Sequence, residues 1–213
     1  MAPEQPRDAF PVGGDEAPDP ADALAIIAAQ RARAEDTRPS STWIFGLWGA
    51  AWLVGYGAMW LTARDDRSPS VLAVAVAIGV GVAAVVLTIV HVLRRSRGIA
   101  GAGARQGALY GWAWAIGFTA QSMIVGGLGG AGASDEVTAL AANAIAALVV
   151  GLLYIAGGLL WDATAMYVIG GWMALVGAAA ALTGLPASYL VMALAGGGGM
   201  LALGLVTRIR SRA

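Results

Sequence analysis

Between Ser41 and Thr207 the chain alternates long apolar blocks with short polar gaps. The blocks run from Ser41 to Ala63, Val71 to Leu93, Ala108 to Gly130, Val137 to Leu160, Ala163 to Gly184 and Ala187 to Thr207, and none contains Asp, Glu, Lys or Arg. A helix rising about 1.5 Å per residue needs roughly twenty residues to cross a hydrocarbon core of about 30 Å, so each block is long enough. In lipid a lone segment satisfies its backbone N–H and C=O groups only as a helix. The pattern predicts an all-α, polytopic membrane protein with a six-helix transmembrane domain over residues 41–207. Short gaps make neighbouring helices antiparallel and leave no room for a globular domain between them.

The first forty residues follow a different pattern. Residues 1–18 are rich in Pro, Gly and acid and carry neither the basic start nor the apolar run of a signal peptide, so they are expected to be a disordered tail. From Asp19 the pattern turns helical. Asp19 is placed to cap, Pro20 fits a first turn, Leu24, Ile27 and Ala28 share a face, and Pro39 bars continuation. This predicts an amphipathic helix over 19–38 near the membrane surface, packed under the bundle, resting on headgroups or docking a partner.

Charge adds an orientation. Arg7, Arg31, Arg33 and Arg38 precede the first block, Arg94, Arg95, Arg97 and Arg105 fill the second gap, and Arg208, Arg210 and Arg212 end the chain. Arg64 and Arg67 stand on the other side beside Asp65 and Asp66. Basic residues are retained in the cytoplasm, so both termini, including the basic tail 208–213, are expected there. The chain has no Lys, no Cys and one His, which excludes a Walker-type phosphate loop, a lysine Schiff base, a thiolate nucleophile and a cysteine zinc cluster. No cofactor, metal or nucleic-acid partner is expected, and no acid, base and nucleophile constellation suggests an enzyme.

Within the blocks one pattern repeats. Gly46 to Ala58 reads GLWGAAWLVGYGA, and 62 residues later Ala108 to Ala120 reads ALYGWAWAIGFTA, identical at six of thirteen positions. Two blocks fit in that period, so the copies would run in the same direction as parallel hairpin repeats. The repeat carries aromatic stripes at fourfold spacing: Trp48, Trp52, Tyr56 and Trp60 in one copy, Tyr110, Trp114 and Phe118 in the other. Interface belts would put rings only at helix ends. The stripes either pack against small faces such as Gly126 and Gly130, or line a cavity for an apolar or cationic guest.

Few polar groups accompany them. Thr119, Gln121 and Ser122 cluster in the third block, Asn143 lies in the fourth and His91 near the end of the second. They serve as interhelical glue or as a polar patch on a pathway, and His91 reads as an interfacial residue. Asp162, alone between two blocks, is either a helix N-cap or an intramembrane titrating acid. Gly196 to Gly199 marks a close backbone approach or an unwound segment whose carbonyls line a site. The candidate substrate-lining set is Trp48, Trp52, Tyr56, Tyr110, Trp114, Phe118, Gln121, Asn143, Asp162, Gly197 and Gly198.

The strings LYGWAW (Leu109 to Trp114), GLLYIAGGLLW (Gly151 to Trp161) and YLVMALAGGGG (Tyr189 to Gly199), after an ALAIIAAQRAR start, resemble a group of small six-helix integral membrane proteins of actinobacteria. These are often labelled "transporter" without a defined substrate. The resemblance implies the bacterial cytoplasmic membrane and a transporter or permease-like component moving a small molecule. The alternative is a non-transporting accessory or sensor protein acting through partner binding. Besides the lipid bilayer, the expected partner is another membrane protein or an ATPase docked on Arg94 to Gly107.

Overall fold

The computed structural model describes residues 19–36, 40–65, 68–98 and 100–210, all helical or connecting, with no strand among them. It divides into two units, residues 1–38 and 39–213. The expected tail 1–18, Pro39 and the last three residues of the basic tail lie outside the described residues.

The first unit holds α1 (Pro20–Asp36). Asp19 caps it: the Ala21 N–H donates to Asp19 Oδ1 at 3.0 Å, and Ala23 N–H to the Asp19 carbonyl at 3.0 Å. Leu24, Ile26 and Ile27 are exposed, and Ile26 lies across the helix from Leu24.

The second unit comprises α2 (Ser41–Ala63), α3 (Val71–Arg95), α4 (Ala102–Gly130), α5 (Asp135–Leu160), α6 (Thr164–Thr183) and α7 (Ala187–Arg210), the last π-helical over Met192–Gly197. Ser40, Ser70 and Ser134 start α2, α3 and α5, each hydroxyl accepting the N–H three residues on at 3.2–3.3 Å. Charge complements the helix dipoles: Asp135 and Glu136 lie in the first turn of α5, and Arg94, Arg95, Arg208 and Arg210 in last turns. Five helices, α2, α3, α5, α6 and α7, are long and apolar enough to cross a membrane. The third expected span, α4, is the longest helix at 29 residues and is not among those five. Large apolar side chains face outward along the others, Val71, Leu72, Ile78 and Leu182 among them, which suits a lipid solvent.

Helices pack in the order α3, α2, α7, α6, α5, α4. The core comes from four of them: Phe45 and Trp52 of α2, Ala147, Val150 and Tyr154 of α5, Ile169, Met173, Val176 and Ala180 of α6, and Met192 and Met200 of α7. Flanking α3 buries only Ala73 and Ala84, and α4 buries nothing. The two similar aromatic strings thus occupy different surroundings, one on a core helix and one on a flank.

Two glycine crossings set the core spacing. On α2 and α7, a Cβ at Gly49 would stand 2.8 Å from the Gly197 carbonyl oxygen, and one at Gly197 would stand 2.9 Å from that of Gly49. On α5 and α6 the same reciprocity joins Gly151 and Gly170, at 2.7 and 2.6 Å. Backbones at this separation leave no room for a methyl group. Lipid tails offer no hydrophobic drive between helices, so such contact surfaces supply the cohesion. At the arginine-rich end Thr42 and Thr207 hydroxyls join α2 to α7 at 2.9 Å.

Alanine at Gly170 or Gly197 should destabilise the bundle by about 1–3 kcal/mol, the usual cost of overpacking. At Gly171 and Gly198 an added methyl group would meet nothing within 4 Å. Alanine there should be neutral or add up to about 1 kcal/mol through helix propensity. Thermal unfolding of the four variants in one detergent checks both directions.

Candidate functional site

The α2 stripe reaches three neighbours through its successive rings. Trp48 donates from Nε1 to Thr88 Oγ1 of α3 at 3.0 Å. One turn on, Trp52 is buried over Gly196 of α7, where a Cβ would come 2.8 Å from its ring. Tyr56 meets the Trp52 ring edge-on at 5.4 Å, stacks at 6.5 Å on Tyr189 of α7, and donates its hydroxyl to Asn143 Oδ1 of α5 at 3.2 Å. At the polar end Trp60 holds the Arg64 guanidinium 5.1 Å from its ring.

The α4 stripe turns onto α5. The Tyr110 hydroxyl donates to the Leu153 carbonyl at 2.8 Å and lies where a side chain at Gly157 would be. Its ring meets Trp161 edge-on at 4.6 Å and Trp114 at 6.1 Å. Trp114 packs edge-on against Tyr154 at 5.6 Å and Tyr154 against Phe45 at 5.8 Å, so rings run unbroken from the α4 flank into the core. Phe118 stacks on Trp114 at 6.2 Å but remains exposed. Edge-to-face geometry of this kind is worth about 0.5–1.5 kcal/mol per pair beyond area. Gly126 and Gly130, an expected packing face for the stripes, have open space beside them. Phe45, Tyr154, Trp161 and Tyr189 belong to this seam, although the sequence pattern does not single them out. Tyr154 carries a signal there, being an aromatic in mid-block where no interface explains it.

Polar groups inside are neutral. Gln121 donates from Nε2 to the Ala142 carbonyl at 3.1 Å, joining α4 to α5, while its buried Oε1 has no partner. Ser188, fully buried near the start of α7, also has an unpartnered hydroxyl. Ser122 instead bonds its own helix, at the Phe118 carbonyl, at 2.9 Å. His91 Nε2 accepts the Ser40 N–H at 3.1 Å and its ring stacks on Trp43 at 4.5 Å, which fastens the start of α2 to the end of α3.

The glycine run remains helical. Gly196, Gly197 and Gly199 admit Trp52, the α2 backbone and the Trp172 indole, whereas Gly198 faces open space. The Ala195 carbonyl accepts both the Gly198 N–H of its own helix and, at 2.8 Å, the Trp172 Nε1–H of α6. Close approach therefore explains three of the four glycines.

Asp162 does not cap α6. The N-cap is Ala163 without a side-chain bond, and Asp162 takes a left-handed conformation, φ 50°, just after α5. Ala163 N–H reaches back to the Gly158 carbonyl at 2.8 Å, so Asp162 closes α5 in a Schellman turn, a role Asp tolerates because its short polar side chain suits that region. It is exposed, and it follows the end of α5 whereas Asn143 lies near the beginning, about 28 Å apart at the helical rise. The candidate residues thus separate. Trp52, Tyr56 and Asn143 meet in the core, Tyr110, Trp114 and Gln121 bind α4 to α5, Gly197 marks a crossing, and Asp162 and Gly198 stand apart.

No set of three His, Cys, Asp or Glu side chains among the described residues is grouped to hold a metal. Comparison with protein families, curated proteins and solved structures finds no match for this chain.

Tyr56→Phe and Asn143→Ala should each weaken the bundle, with a coupling of about 0.6–1.7 kcal/mol in the double-mutant cycle, the range for hydrogen bonds between membrane helices. Zero coupling would mean that the two side chains act independently. At the turn, Asp162→Asn and Asp162→Gly should keep stability within about 0.5 kcal/mol, whereas Asp162→Leu should lose about 1 kcal/mol or more to left-handed strain. Unfolding midpoints report all three.

Proposed function

We propose that the chain is a permease-like component of a bacterial cytoplasmic membrane, with both termini cytoplasmic, that moves a small uncharged or weakly polar molecule together with a partner subunit. The observation that carries this reading is the position of α4, the longest helix, which buries no residue. Trp112, Ile116 and Met123 are turned away from the bundle at 65–73 % exposure. A second helix against this face would cover them.

Support for α4 as a sixth span comes from its register on α5. Tyr110 bonds Leu153 and Gln121 bonds Ala142, pairs that advance in opposite directions by the same eleven residues. An antiparallel partner of a membrane-crossing helix, about 43 Å long at the helical rise, traverses the same thickness. Crossing also keeps the arginines before α2, between α3 and α4 and after α7 on one side. The kinship of Gly46 to Ala58 with Ala108 to Ala120 fits duplicated hairpins whose first helices diverged in position. Apolar blocks that carry no charged side chain support a neutral cargo. Apolar blocks without any acid, lysine or arginine favour energy drawn from a cargo gradient or a partner ATPase.

The second reading, an accessory protein that moves nothing, is favoured by the reciprocal glycine contacts, which close α2 on α7 and α5 on α6. A photo-crosslinking residue at Met123 should capture a protein partner in native membranes, whereas one at Val82 of α3 should not. Equal capture at both positions, or none, removes the partner face. Solute flux through liposomes carrying the captured complex, and its loss on Ser188→Leu with stability retained, supports transport. A complex without flux leaves the accessory role.

A further inference from the structure

We propose that the groove between α4 and α5 at the arginine-rich end of the bundle is a binding site for one anionic phospholipid of the surrounding leaflet. The groove is open to the outside and offers about 780 Å³. Its floor is apolar, built from Leu109 and Ala113 of α4 and Leu153, Ala156 and Leu160 of α5. Leu109 and Leu160 are 61 % and 48 % exposed, so the floor is open to lipid rather than closed by neighbouring helices. The small side chains Ala113 and Ala156 provide the depth, and the Tyr110 ring, fixed by its hydrogen bond to Leu153 and its contact with Trp161, walls one side. Such a trough fits an acyl chain.

The mouth has the opposite chemistry. Arg105 lines it, and its guanidinium makes no hydrogen bond or ion pair among the described residues. Beside it Gln106 donates from Nε2 to the Leu160 carbonyl at 3.3 Å, leaving its oxygen to accept from a hydroxyl. Gly101 and Ala102, where α4 begins without a side-chain cap, complete the rim. A free guanidinium presents a rigid fork of donors that matches phosphate oxygens in pairs. An unpaired cation directly above an apolar trough is the reverse image of an anionic phospholipid: phosphate at the arginine, headgroup hydroxyl at the glutamine, chain along the leucines and alanines. A zwitterionic lipid would bring its own cation to the same arginine. A soluble phosphate would leave the trough unfilled.

Native mass spectrometry of the full chain released from nanodiscs tests this with equal amounts of palmitoyl-oleoyl phosphatidylglycerol and the matching phosphatidylcholine. One retained phosphatidylglycerol should exceed phosphatidylcholine by about fivefold, the weight of one arginine near a membrane surface. Arg105→Gln should bring the ratio close to one, and Ala113→Phe, which fills the trough, should lower retention of both lipids while thermal unfolding stays unchanged. Arg210→Gln, an equal loss of charge on α7, should leave the ratio alone. Equal retention of the two lipids by the unaltered chain, or equal effects of Arg105→Gln and Arg210→Gln, would overturn a specific site. Should Ala113→Phe unfold the protein, Ala156→Val supplies a smaller filling of the same trough, and undiminished retention by that folded variant would equally sink the proposal.

Discussion

Backbone contact between helices, without side chains in between, is the constraint on which this bundle depends. Inside a bilayer the usual force that drives apolar surfaces together is absent, because lipid tails solvate leucine as well as another helix does. Cohesion has to come from contact area and from dipoles brought close. At Gly49 with Gly197, and at Gly151 with Gly170, each glycine stands against the carbonyl of the other, which brings whole turns of α2 and α7, and of α5 and α6, into van der Waals range. The larger residues of the core, Met173, Met192 and Met200 among them, fill what remains between the four helices. Flexible thioether chains suit these irregular gaps.

Aromatic residues bridge the helices where glycine contact gives out. A glycine on the opposite helix commonly receives the ring: Gly196 for Trp52, Gly157 for Tyr110, Gly199 for Trp172. Each pairing matches a large side chain to a missing one. The few polar groups are satisfied across the same seams. Tyr56 donates to Asn143 across α2 and α5, and Trp172 donates to the Ala195 carbonyl of α7. Gln121 Oε1 and Ser188 Oγ are buried without a protein partner.

Legibility in the sequence differs by kind of question. Helix positions are readable because a run of some twenty uncharged apolar residues has one stable form in lipid, and Ser40, Ser70, Ser134 and Asp19 mark helix starts in the structure. Asp162 reads wrongly as a cap because a carboxylate between two apolar blocks looks the same whether it ends one helix or begins the next. Only φ at that residue and the reach of Ala163 back to Gly158 distinguish the two. The fourfold aromatic stripes are visible, but their partners are not, since spacing along one helix carries no information about which neighbour faces it.

The sequence by itself determined an all-helical chain with at least five helices apolar enough for a membrane, because length and the absence of charge act locally, segment by segment. It also determined that the apolar blocks contain no lysine, arginine, cysteine or carboxylate. Tertiary structure alone decided that α2, α5, α6 and α7 form the core while α3 and α4 flank it, and that two similar aromatic strings take different places. It alone separated glycines that form crossings from those facing open space. The reason is physical: a glycine makes a crossing only when a second backbone arrives within a few ångströms, and that partner lies far away in the chain.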